Sequence, residues 1–114
     1  MKELVLIITN CPDKESATAL AEGLIKQHLA ACVNISGACH SVYRWQEKIT
    51  SAEEFPVLIK TRRQHYDQVE QLIKIMHPYE LPEIIMVPIV GGLTDYLQWI
   101  NDETMLSENT KNSC

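Results

Sequence analysis

One ordering limits what this chain can fold into more than any other property. Short apolar runs or two-residue alternations, and stretches with a three-to-four-residue apolar repeat, follow one another as strand, helix, strand, strand, helix, strand. Leu4–Thr9 is a continuous apolar, β-branched run, the pattern of a strand buried on both faces. Asn10-Cys11-Pro12-Asp13 supplies turn chemistry, and Asp13 and Glu15 sit where the positive end of a following helix favours carboxylates. Ala17, Leu20, Ala21, Leu24 and His28 then draw one apolar helical stripe. A second strand begins at Ala31–Ile35 and resumes at Val42–Trp45 after an interruption containing Gly37, with Tyr43 and Trp45 on one face. Glu47–Glu54 is polar and reads as a hairpin connection. Phe55–Thr61 alternates as a third strand, and Pro56, which has no N–H for a ladder, predicts an edge or bulge there.

Thr61-x-x-Gln64 has the form of a capping box, and Tyr66, Val69, Ile73 and Met76 follow at helical spacing. Pro78 ends that helix by restricting His77 before it. Ile84–Val90 reads as the last strand, with Pro88 again pointing to an edge, and Gly91-Gly92 breaks it. Thr94 is placed to cap a short helix carrying Tyr96, Leu97, Trp99 and Ile100. Residues 105–114 are polar and aperiodic, so a frayed tail is expected after one domain at 1–104. The resulting fold class is α+β: a ferredoxin-like βαββαβ sandwich, antiparallel in its sheet, with a short C-terminal helix. Helices on one face leave the other face of the sheet, with its Leu, Ile and Val residues, bare in a single copy. A large apolar patch of that kind marks an interface, so self-association is expected.

Composition narrows the partners. A chain of 114 residues with 46% apolar and 22% charged residues suits one globular domain. Ten basic against 15 acidic residues give a formal charge of −5, which argues against nucleic acid and against an anionic membrane. The apolar run after Met1-Lys2-Glu3 is too short for a signal h-region, and no stretch approaches a membrane span, so a cytoplasmic location is expected. In that reducing compartment Cys11, Cys32, Cys39 and Cys114 are expected as free thiols, and no CxxC pair suggests a zinc or redox motif.

Five blocks in order carry a resemblance. They are Ala30-Ala31-Cys32-Val33-Asn34, Tyr43-x-Trp45, Lys60-Thr61, His77-Pro78-Tyr79-Glu80-x-Pro82-Glu83, and Tyr96-Leu97-x-Trp99-Ile100. Over about residues 3–102 the chain resembles the CutA divalent-cation-tolerance family, the HPYExPE stretch being the most specific part. The resemblance implies a homotrimer similar in plan to the PII-type regulators, with copper or other divalent-cation binding and a link to metal tolerance. The chain departs from the family's pattern in three places. Glu47 stands where a Gly is usual, Met76-His77 replaces a His-His pair, and Thr9 takes the place of a strand-end Cys that has Cys11 two residues further on.

Two groups of residues carry candidate chemistry. The thiol of Cys11, the thioether of Met76 and the imidazole of His77 form a soft donor set suited to Cu(I), with His77 as the central ligand candidate. Each also has a structural reading: Met76 as core filler, Cys11 as a loop thiol, His77 as a helix C-terminal cap. Tyr43, Trp45, Glu54, Lys60, Glu83 and Trp99, together with His77, form the second group. They read either as an inter-subunit cleft for a small anionic or zwitterionic guest or as a network fixing subunit register. Lys60 is expected to find its partner in Glu54 or Glu83. No HExxH, Gly-x-Ser-x-Gly or P-loop pattern occurs. The Thr9–Asp13 turn also lacks the Arg and Gly of the acylphosphatase phosphate loop, so an enzyme is not expected. The expected function is a non-enzymatic metal-binding trimer, with a PII-like small-molecule sensor as the alternative.

Overall fold

The structure, a computed structural model, describes residues 3–105. Its elements are β1 (Leu4–Cys11), α1 (Lys14–Lys26), β2 (Cys32–Ile35), β3 (Cys39–Trp45), β4 (Lys48–Arg62), a one-turn 3₁₀ segment (Arg63–His65), α2 (Tyr66–Met76), β5 (Ile84–Pro88) and α3 (Thr94–Glu103). The antiparallel sheet runs β2-β4-β1-β5, with β3 also paired to β4. The expected second strand is therefore β2 and β3, two pieces laid against the same partner. The tail expected beyond Met105 lies outside the described residues. None of the described helices is long and apolar enough to cross a membrane.

Strand register assigns the two faces. Ile7 is opposite both Ile59 and Met86, and Thr9 is opposite Val57 and Ile84. Those residues, with Val5 and Cys11, point to the side where Ala17, Leu20 and Leu24 of α1 and Val69 and Ile73 of α2 complete the core. The alternate positions, Leu6, Ile8, Leu58, Lys60, Ile85 and Val87, form the outer face. Among the described helices only α3 lies on that side. It covers the end near Leu4 and Arg62, where Arg62 donates from Nε to Thr104 Oγ1 (3.1 Å) and through its NH2 group to the Thr104 carbonyl (2.8 Å). His65 lies within 3.0 Å of the same guanidinium and 2.8 Å of the same carbonyl. Among the described residues nothing else covers the outer face, and Ile85 and Val87 remain exposed on it.

Several local expectations are corrected. Glu47–Glu54 is not a connection, because β4 begins at Lys48 and the turn is only Gln46-Glu47, both with positive φ (49° and 66°). At about 3.3 Å per residue a 15-residue strand spans about 50 Å, matching the 51 Å long dimension of the molecule. The arm formed by β3 and the start of β4 therefore stands clear of the helices. In this arm Val42–Trp45 carried a strand signal, and the polar start of β4 carried none. Pro56 is neither an edge nor a bulge residue, since β4 is an interior strand. Its carbonyl accepts from Ser36 N, so its missing N–H falls on that same side, at the break between β2 and β3. Pro88 does lie on β5, which pairs only with β1. Thr61 is no cap either. It stays in the ladder opposite Val5, its hydroxyl buried without a partner, and α2 starts after His65 with no side-chain cap. Thr94 is the first residue of α3 rather than its cap, because Leu93 precedes it with extended backbone.

Candidate functional site

The C-terminal end of β1 gathers most of the soft-donor chemistry. Cys11 is the last strand residue and only 2% exposed. Asp13 then caps α1, accepting from Ser16 N at 2.7 Å, and that hydrogen bonding holds its carboxyl below the usual carboxylate range. Burial pushes the Cys11 thiol up, helped by the negative charges of Asp13 and Glu54, so it is a protonated, poorly nucleophilic thiol at neutral pH.

His77 reaches the same corner from the end of α2. Its backbone N–H donates to the Ile73 carbonyl, closing the helix. The Tyr79 amide donates to Nδ1 at 3.1 Å, so Nδ1 is the acceptor and Nε2 carries the proton. Nε2 donates it to the Asn10 carbonyl. Both ring nitrogens are thereby committed, and the buried imidazole (8% exposed) is neutral. The Tyr79 ring tilts against it with centroids 4.8 Å apart. Burial raises the Tyr79 phenol, and nearby acidic groups, Glu54 foremost, raise it further, so this corner has an acidic rim. Asn10 fastens the rim further by donating from Nδ2 to Glu83 Oε1 at 2.9 Å.

Of the three soft donors, Cys11 and His77 share this corner and Met76 does not. Met76 is half-exposed, and its sulfur lies over Gly23 of α1, where an added Cβ would come within 3.8 Å of it. Among the described residues no group of three or more His, Cys, Asp or Glu side chains could hold a metal ion. With the thiol protonated and the imidazole tied at both nitrogens, one chain does not fit a resident metal centre.

The second group divides by position along β4. Near α3, Lys60 is half-buried and donates to Tyr96 Oη at 3.4 Å, its ammonium 5.6 Å from the Tyr96 ring centroid. Tyr96 stacks on Trp99 at 5.6 Å, and both rings stay about 40% exposed. The expected Glu54 or Glu83 partner for Lys60 is thus replaced by an aromatic ring, since Glu83 is held by Asn10 and Glu54 lies six residues away along the strand. On the arm, Glu54 faces Cys39, Thr50 faces Tyr43 and Lys48 faces Trp45, so Glu54, Tyr43 and Trp45 share the outer face with Lys60. The half-buried Glu54 carboxylate has no hydrogen bond or ion pair among the described residues. Sequence reading missed Asn10 and Tyr96. Neither stands near its partner in the chain, and only the Tyr96 block offered a signal.

Residues 5–103 match the family model described as CutA1 divalent ion tolerance protein. A divalent-cation tolerance protein CutA of Thermus thermophilus is 38% identical over 104 residues, covering 91% of this chain and 99% of that protein. The solved CutA1 of the psychrotrophic Shewanella sp. SIB1 superposes with a TM-score of 0.86 at 46% identity, covering 90% of this chain and 95% of that one. A protein of Archaeoglobus fulgidus described as a periplasmic divalent cation tolerance protein gives 0.86 at 37% identity, covering 89% and 98%.

Proposed function

Because the chain belongs to the CutA1 divalent ion tolerance family, we propose that it acts without catalysis, as a cytoplasmic homotrimer serving tolerance of, or response to, divalent metal ions. The open outer face carries this reading. Leu6, Ile8, Leu58, Ile85 and Val87 make an apolar strip that the described residues of a single copy leave partly uncovered, and copies packing on it would remove it from water. Cys11 and His77, the two groups at the rim with nucleophile or base chemistry, are committed to burial and to hydrogen bonds, which favours binding over turnover.

Copper is the ion that best suits a thiol and an imidazole in one corner. It is an exchangeable ligand here rather than a resident centre, because the sulfur must first give up a proton that burial holds tightly. Calorimetric titration with Cu(I) under reducing conditions at pH 6.5 and 8.5 tests this. Affinity should rise by roughly tenfold per pH unit and fall in Cys11→Ser. A pH-independent affinity that Cys11→Ser leaves unchanged would remove copper from the account.

A second reading has one observation in its favour. The half-exposed Tyr96–Trp99 stack beside the Lys60 ammonium suits a small anionic or zwitterionic guest in a cleft between copies. Quenching of Trp45 and Trp99 fluorescence by a metabolite panel checks it, and a flat response removes it.

A further inference from the structure

Two patches on the outer face of β4 are complementary to each other and cannot meet within one chain. The first is Lys60 with Tyr96 and Trp99, beside α3. The second is Glu54, at the base of the arm, with Tyr43 and Trp45 on the same face four and six residues further out. Each centres on a half-buried charge without an opposite charge beside it among the described residues, and the Lys60 patch is flanked by aromatic rings about 40% exposed. Six residues of strand separate the two charges by about 20 Å, since a strand rises about 3.3 Å per residue. Half-buried charges of this kind are costly until a partner arrives.

A ring of identical copies needs two different matching patches on each copy, whereas a two-fold dimer uses the same patch twice. The two oppositely charged patches meet that requirement, and the apolar strip at Leu58 lies between them on the same strand face. We propose that Lys60 of one copy pairs with Glu54 of the next, closing the ring head to tail and burying the Tyr96–Trp99 stack at each junction. The pair sets orientation and register between copies, and the apolar strip supplies most of the contact area. The inference rests on the trimer reading above but makes a separate claim about which charges meet.

A charge swap tests it, read by native mass spectrometry across a dilution series, with far-UV circular dichroism as the check on folding. Lys60→Glu and Glu54→Lys should each weaken assembly by about tenfold or more, and the double variant should recover most of that loss. Two residues so far apart on one strand would otherwise contribute independently, so recovery can arise only through a second copy. If Lys60→Glu alone fails to fold, the double variant decides: a recovered ring supports the pair and its absence overturns it. A wild-type trimer whose single variants assemble normally, or whose double variant is no better than the worse single, also overturns it. A wild-type monomer would instead remove the trimer reading itself.

Discussion

The Nε2 proton of His77 is donated to the carbonyl of Asn10, across 67 residues of sequence, while Nδ1 receives the amide of Tyr79. One neutral ring thus ties the loop after α2 to the end of β1, and the position of Tyr79 at the rim depends on it. His77→Ala should cost about 1–3 kcal/mol in urea unfolding, because the Asn10 carbonyl and the Tyr79 amide lose their partner where the ring had been buried. An unchanged unfolding midpoint would show that the ring is not holding the loop.

The Gln46-Glu47 turn predicts a gain. Both residues sit in the left-handed region, at 49° and 66°, which a two-residue hairpin of this kind normally gives to Asn-Gly. Relieving the second position should stabilise the protein, so Glu47→Gly is expected to raise unfolding free energy by about 1 kcal/mol. A loss of stability would mean that the Glu47 side chain makes a contact worth more than the strain.

Tyr66 predicts a pH dependence. Its phenol donates to Glu70 Oε1 at 2.7 Å, and this bond, with burial and the charges of Glu70 and Asp67, pushes its pKa up to about 12. The fold therefore favours the neutral phenol. That contribution is whole below the ordinary value of 10 and fades as pH rises from 10 towards 12. Unfolding free energies at pH 9 and pH 11.5 should show a smaller alkaline loss in Tyr66→Phe than in the parent. Equal losses would remove Tyr66 from the explanation.

Much of this fold was legible because the periodic segments are long and one-sided. Val5, Ile7, Leu20, Leu24, Val69 and Ile73 all lie in the core that their spacing implied. What misled was local chemistry outvoted by tertiary structure. Thr61 looked like a cap but remained in the ladder opposite Val5, and the polar start of β4 gave no strand signal because the arm packs on no helix. The site was less legible for the same reason. His77 read as a ligand candidate or a helix cap, yet its partner Asn10 is brought to it only by the sheet, and Lys60 met Tyr96 because α3 folds back over the outer face.

The central claim is self-association through that outer face, and a native mass spectrum of the protein at low micromolar concentration tests it most directly. The account predicts a dominant species of three times the 13.0 kDa chain mass, holding no metal that a chelator wash leaves in place. A dominant species at the single-chain mass, or a trimer with one tightly retained ion per chain, would contradict it.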